Sequence, residues 1–248
     1  MEGGQKRGMG NEKQDLRAVL AKVEREGEVV RVEREVDPLL EIPAVVKSLS
    51  KLPRIPVLLF ENVRGYPGVQ CCAAFFGERT RVLKSMGLPL DPVEWNELGI
   101  KLLDNPLAPK LVPQGPCKEN ILKGPVDLEK LIFPTQGASQ ANNSYYHPVV
   151  FTRHPVTKQV NVGMYRVTLQ KPGQVTVNLR VTQHGGMHLQ AAKDLGLPLP
   201  VAVCLGVHPS IYGSATSELP YGYDELGFSG AVVGEPVEVV KAETVTAT

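Results

Sequence analysis

The chain has 248 residues, 42% of them apolar, and a mean hydropathy near zero, enough for one large or two modest globular domains with a real core. Its 27 Lys and Arg stand against 26 Asp and Glu, so no net field attracts nucleic acid or an anionic membrane, and any anion site has to be local. No apolar run approaches the ~20 residues of a spanning helix, and Met1 to Gln14 lacks the apolar stretch of a signal peptide, so no membrane span and a cytoplasmic location are expected.

Residues 1–13 carry almost nothing apolar and are expected to be disordered. Leu16, Val19, Leu20 and Val23 then follow an i, i+3, i+4, i+7 pattern closed by Gly27, which predicts an amphipathic helix over Asp15 to Glu26. A strand over Val29 to Val36 comes next, and Asp37-Pro38 pairs a capping side chain with a proline suited to a first helical turn, predicting a helix over Leu39 to Leu49. Val57 to Val63 and Val69 to Phe76 read as strands around the turn Arg64 to Gly68, and Glu78 to Met86 and Pro92 to Leu103 as helices, the last opened by Asp91-Pro92. Strands alternating with helices indicate an α/β layer domain over residues 14–104. Repeated prolines make residues 105–116 a stiff linker and the expected domain boundary.

Beyond it the texture turns to β-type runs: Val149 to Arg153, Val160 to Leu169, Val175 to Gln183, Val201 to Val207 and Val237 to Glu243. Lys171-Pro-Gly-Gln174 is a hairpin turn. With one helix near Met187 to Leu195 capped by Gly196, tight antiparallel connections favour a small β-barrel over 117–248, so the whole is α+β. Cys71, Cys72, Cys117 and Cys204 show no C-x-x-C spacing and read as free thiols, three of them in apolar surroundings.

Three places carry chemistry. In the strand expected over Val175 to Gln183, Asn178, Arg180, Thr182 and His184 share the polar face, and Gly185-Gly186 then leaves backbone N–H groups open to a phosphate. A surface histidine before a Gly-Gly turn explains the same residues. Asn161 and Arg166 are five apart and reach one site only if the strand bulges, for which Gly163 is the place, so a bulge is expected between Val162 and Met164; an exposed Asn and a snorkelling Arg is the alternative. Glu225 lies in a stretch too glycine-rich for a stable isolated helix, where a carboxylate is either solvated or held by a cation. Asn, His and Glu together make a hard O/N set suited to Mn²⁺ or Mg²⁺, while His184-Gly-Gly-Met-His188 lacks the Glu of a zinc protease motif.

Asn161-Val-Gly-Met-Tyr-Arg166, Gln183-His184-Gly-Gly and Asp224-Glu225-Leu-Gly-Phe-Ser-Gly230 together resemble the cofactor-binding signature of the UbiD-type decarboxylases, which use prenylated FMN. The resemblance extends over Asp15-Leu-Arg, Gly27-Glu-Val-Val-Arg-Val, Glu35-Val-Asp-Pro-Leu-Leu-Glu-Ile42, Leu59-Phe-Glu-Asn-Val-Arg-Gly65 and Gly77-Glu-Arg-Thr-Arg81, hence nearly the whole chain. It implies a flavin-reductase-like split β-barrel for 117–248. It further implies Asn161, His184 and Glu225 as ligands of a divalent metal bridging to the cofactor phosphate. Val162, Gly163, Met164, Tyr165, Arg166 and Gln183 would line the flavin, with Arg166 as the catalytic residue facing a substrate carboxylate. Gln183-His184 is closer to ferulic-acid-type members than to polyprenyl-hydroxybenzoate enzymes. Ser214 to Ser217 aligns with a K⁺ loop of some members, a weaker transfer.

Loss of CO₂ from an sp² carbon leaves a carbanion with no internal stabilisation, so a cofactor has to provide an electron sink; the resemblance further implies that a fixed Arg orients the carboxylate and a Glu supplies the proton that replaces CO₂. In the family pattern that Glu lies beyond Thr248, so the chain is expected to hold a cofactor site without the full catalytic apparatus. The leading expectation is a reversible decarboxylase of aromatic or α,β-unsaturated carboxylic acids in a truncated or split form, served by a flavin prenyltransferase, with a homo-oligomer or a complementing carboxy-terminal subunit as the expected partner. The alternatives are a non-catalytic module that binds prenylated FMN, and a flavin-reductase-like barrel using ordinary FMN.

Overall fold

The computed structural model describes residues 14–124, 126–131, 145–171 and 173–245; the disorder expected for residues 1–13 lies outside the described residues. The amino-terminal part contains α1 (Leu16–Arg25), β1 (Val29–Val32), α2 (Glu41–Ser48), β2 (Val57–Phe60), β3 (Cys71–Ala73), α3 (Arg79–Ser85) and α4 (Pro92–Asp104). Asp15 caps α1 by accepting the Ala18 N–H at 2.9 Å, and Asp91 caps α4 through the Val93 and Glu94 N–H groups. Strand β2 lies between a parallel β1 and an antiparallel β3. Val57 packs against Val19 and Val23 of α1, while Leu58 and Phe60 pack against Ile42 of α2, so both faces of β2 are covered and its sequence is unbroken apolar. The expected strands are longer than the observed ones: the β1–β2 ladder ends at Val32 and Phe60, and pairing resumes only at the single bridge Val36↔Val63.

Glu28 and Arg81, from two of the short motifs, meet inside this layer. Arg81 Nε donates to Glu28 Oε2 at 2.7 Å, and its guanidinium also donates to the carbonyls of Ala74, Phe75 and Ile55; Arg54 adds a second pairing to Glu28. Burial works to raise the Glu28 pKa, but the hydrogen bonds and charges of Arg81 and Arg54 outweigh it and hold the carboxyl below its ordinary value.

The proline-rich segment runs as an extended strap. Its donors alternate with its prolines: Leu107 N–H reaches the Gly227 carbonyl at 2.9 Å, Lys110 N–H reaches Val237 O at 2.9 Å and Val112 N–H reaches Val239 O at 2.8 Å. Within it β4 (Lys110–Leu111) pairs in parallel with a strand near the other end of the chain, Glu238–Val239. Between them lie β5 (Tyr145–Tyr146), β6 (Val149–Arg153), β7 (Val160–Met164), β8 (Val167–Lys171), β9 (Gln174–Val177), α5 (His184–Asp194), β10 (Val201–Cys204), α6 (Pro209–Thr216) and α7 (Glu225–Val233), and Glu238–Val239 is β11. Among the described residues these strands form two antiparallel three-stranded sheets, β10–β6–β7 and β5–β8–β9, and no closed barrel. The hairpin expected at Lys171 to Gln174 joins β8 to β9, with Gly173 at φ +72°.

Four local expectations are corrected. No bulge interrupts β7: its register against β6 is continuous from Val149↔Met164 to Arg153↔Val160, and direction changes instead where the ladder breaks at Tyr165 and Arg166, before β8. The strand expected to carry His184 stops at Val177, and His184 opens α5, so helix geometry rather than strand alternation aims its ring. Glu225 opens a helix, α7, whose every residue is buried; Gly227 and Gly230 weaken it in isolation, but packing against Leu83, Met86 and Leu88 supplies the stability. Ser214 to Thr216 form the end of α6, with Ser214 Oγ donating to the Ser210 carbonyl at 2.9 Å, so these residues are helical rather than a loop.

Candidate functional site

Strand β7 delivers residues to two faces. Val162 points with Val149 and Phe151 into the cluster that includes Leu226 of α7, while Asn161 pairs across the ladder with Thr152 of β6 on the opposite face, against α5. The Tyr165 ring folds back over that face. A Cβ on Gly163 would stand 2.6 Å from Tyr165 Cε2, and one on Gly185 2.7 Å from its hydroxyl oxygen, so both glycines are present to let this ring in. The Tyr165 hydroxyl accepts the Gly185 N–H at 2.9 Å and an Asn161 Nδ2–H at 3.3 Å. Gly186 allows a still closer approach: a Cβ there would lie 1.8 Å from the Arg180 carbonyl oxygen. The Gly185-Gly186 pair therefore serves internal packing of the loop on the helix, and the Gly185 N–H is already engaged.

Glu225, 5% exposed, stands at the first turn of α7 and accepts the Val162 N–H through Oε2 at 3.2 Å. Its Oε1 is 4.0 Å from His184 Nδ1. Burial pushes its pKa up to about 7, against the lowering effect of backbone N–H groups, and among the described residues no Lys or Arg pairs with the carboxylate. His188, one helical turn beyond His184, is fully buried and pushed down to about 4 by burial and then by the neighbouring His154 and His184, so it is neutral at ordinary pH. Among the described residues no group of three His, Cys, Asp or Glu side chains gathers to hold a metal; the candidate third donor, Asn161, directly precedes Val162, whose N–H Glu225 accepts. A buried carboxylate lacking a counter-ion beside an imidazole nitrogen fits a divalent cation, whose charge would hold Glu225 ionised.

Next to this group lies a cavity of about 200 Å³ lined by His147, Met164, Tyr165, Arg166, Asn178, Arg180 and Gln183. Arg166 Cζ sits 4.6 Å from the centre of the Tyr145 ring, a cation–π contact that restrains the guanidinium. Two guanidinium groups in one small polar cavity suit an anion such as a carboxylate or phosphate. Of the residues singled out from sequence, Met164, Tyr165, Arg166 and Gln183 line this cavity; Asn161, His184 and Glu225 are not in its lining, though Tyr165 bonds Asn161 and Gln183 adjoins His184; Val162 contributes its backbone N–H and Gly163 a space. Sequence reasoning passed over His147, Thr152 and Tyr221, whose ring stands edge-on to that of His184 with centroids 5.2 Å apart, and did not select Asn178, Arg180 or His188. Asn178 and Arg180 were visible as polar positions of an alternating run, and His188 as the i+4 partner of His184, whereas Thr152 and Tyr221 carry no local signal.

Residues 110–248 match the family described as 3-octaprenyl-4-hydroxybenzoate carboxy-lyase Rift-related domain, and residues 20–97 the corresponding amino-terminal domain. The chain belongs to the UbiD family. It is 32% identical to a pyrrole-2-carboxylic acid decarboxylase of Pseudomonas aeruginosa, over 93% of this chain and 49% of the relative. It is 30% identical to a phenolic acid decarboxylase of Bacillus subtilis, over 93% and 50%. Among solved structures, an evolved dimeric form of the UbiD-class enzyme HmfF from Pelotomaculum thermopropionicum, in complex with prFMN, superposes with a TM-score of 0.85 at 30% identity, covering 94% of this chain and 54% of that one. The chain thus spans about half the length of the relatives it matches. Among the described residues no helix is long and apolar enough to cross a membrane.

Proposed function

We propose that the chain forms the amino-terminal and cofactor-binding part of a UbiD-type decarboxylase that removes CO₂ from an aromatic or α,β-unsaturated carboxylic acid, with prenylated FMN and Mn²⁺ or Mg²⁺. The observation that carries this reading is the buried Glu225 carboxylate, 4.0 Å from His184 and with no Lys or Arg paired to it among the described residues, while Gln183, the neighbour of His184, lines the arginine-bearing cavity. Prenylated FMN, when bound, supplies the electron sink that an sp² carbon requires when CO₂ departs. Asn161, His184 and Glu225 would hold the metal; the phosphate it neutralises would anchor the cofactor. Met164, Tyr165 and Gln183 would bound the flavin, and Arg166, restrained on Tyr145, would fix the substrate carboxylate in one orientation. The reading divides the chain into an α/β domain at 14–104, the strap at 105–116 and a split β-barrel domain at 117–248. A flavin prenyltransferase would furnish the cofactor, and the chain would work as a homo-oligomer or with a carboxy-terminal complement, the latter supplying the proton donor. The names of the relatives support decarboxylation, and the prFMN complex of HmfF supports the cofactor.

Native mass spectrometry and absorption spectra of the chain co-expressed with a flavin prenyltransferase test the proposal. Bound prenylated FMN with one divalent metal is expected, and both should be lost in Glu225→Gln. A chain that emerges without flavin and takes up neither added FMN nor Mn²⁺ refutes it.

A further inference from the structure

The Asn161 carboxamide can ligate a cation only through its oxygen, yet its two ends have nearly the same shape, so something has to decide which end is offered. Resting on the ion site proposed above, we infer that Thr152 and His188 are positioning residues that fix this orientation, with the tautomer of His188 as the deciding element. Asn161 Nδ2 lies 3.3 Å from Thr152 Oγ1 and 3.3 Å from the Tyr165 hydroxyl, so each amide hydrogen has its own acceptor and the carboxamide oxygen is turned away from both. Tyr165 does not decide between the two ends: its oxygen receives the Gly185 N–H at 2.9 Å, and its own hydroxyl can then either accept from the carboxamide or donate to it. Thr152 has one hydrogen, and with its lone pair facing Asn161 that hydrogen goes to His188 Nδ1, 3.0 Å away.

The count closes only if His188 presents a lone pair at Nδ1 and carries its proton on Nε2. Nε2 is buried and has no hydrogen-bond partner among the described residues, so no bond there selects a tautomer and the choice is made at Thr152. With the ring proton on Nδ1 the polarity would reverse: His188 would donate to Thr152, Thr152 would donate towards Asn161, and the carboxamide would turn its oxygen to the hydroxyls. Its N–H₂ would then be the end left for a cation, which repels it. Thr152 and His188 are both fully buried, so no solvent stands in for a missing partner.

The test titrates Mn²⁺ into the chain, with and without FMN, for wild type, Thr152→Val, Thr152→Ser and Glu225→Gln, while ¹⁵N NMR of the His188 ring reads the tautomer. The inference expects Mn²⁺ affinity about 10- to 100-fold weaker in Thr152→Val, recovered in Thr152→Ser, and the His188 proton on Nε2. Wild-type affinity in Thr152→Val, alongside loss in Glu225→Gln, overturns the positioning role and leaves the ion site standing. Failure of wild type to bind Mn²⁺, or binding that survives Glu225→Gln, removes the ion site and this inference with it. A proton on Nδ1 overturns the orientation whatever the metal does.

Discussion

Gly99 and Gly186 both lie inside helices at ordinary negative φ, and helix propensity alone would have either one gain about 1 kcal/mol on replacement by Ala. The structure separates them. A Cβ on Gly99 meets nothing within 4 Å, so Gly99→Ala should stabilise the protein by the full propensity difference, about 1 kcal/mol. A Cβ on Gly186 would lie 1.8 Å from the Arg180 carbonyl oxygen, 2.4 Å from its carbon and 3.0 Å from Val181 Cα. These are backbone atoms that no rotamer change can remove. Relief requires α5 and the 180–183 loop to part by more than an ångström, straining the Arg180 N–H to Gln183 Oε1 and Gln183 N–H to Arg180 O bonds. Overpacking of this kind costs about 1–3 kcal/mol, and each bond lost adds about 1 kcal/mol. After the propensity gain is subtracted, Gly186→Ala should destabilise by roughly 2–4 kcal/mol, about 3–5 kcal/mol away from Gly99→Ala. Urea unfolding followed by far-ultraviolet circular dichroism measures both variants. A Gly186→Ala protein as stable as Gly99→Ala would refute the close packing of the loop on α5, and with it the placement of Arg180 and Gln183 in the cavity.

Other perturbations test other parts of the argument. Arg81→Met leaves Glu28 buried beside only the exposed Arg54 and should cost about 3–5 kcal/mol, while adding Glu28→Gln to it should cost less than the sum of the single changes; strict additivity in urea melts would mean that the pair is not coupled. Burial lowers the His208 pKa from 6.5 to about 4, so between those values the unfolded chain binds a proton that the folded one does not, and stability falls as pH drops through that window, by up to roughly 3 kcal/mol from this group. His208→Asn, which can still cap α6, should flatten that part of the pH–stability curve; an unchanged slope counts against a buried neutral His208. Arg166→Ala should leave the melting temperature nearly unchanged but weaken binding of a carboxylate ligand to the flavin-loaded chain by about tenfold or more, read by fluorescence titration; unaltered binding would take Arg166 out of the substrate site.

Some elements were legible because their causes are local. Asp15 and Asp91 cap their helices in the way their side chains allow, the 171–174 turn makes its hairpin, and the apolar period of α1 buries Val19 and Val23. The candidate site was legible only as a set of residue types in order, since Asn161, His184 and Glu225 stand on three separate elements. Two of the errors share one origin. The bulge at Gly163 and the reading of the stretch around Glu225 as too glycine-rich for an isolated helix assigned to glycine a conformational role, where the fold uses its missing side chain to admit the Tyr165 ring and the Leu107 strap; the long strand to Gln183 followed an alternation that the 180–183 loop packed on α5 does not continue.

Composition and periodicity were enough for an α+β chain, because capping, turn formation and amphipathic alternation act over a few neighbours, and the order of three short motifs carried the resemblance to the UbiD family, to which the chain belongs, and the set of candidate site residues. Tertiary structure alone decided that Glu225 is buried without a counter-ion 4.0 Å from His184, and that Thr152 and His188 stand behind Asn161. Desolvation and hydrogen-bond direction depend on what distant segments bring within a few ångströms, and those distances come into being only when the sheets and helices pack.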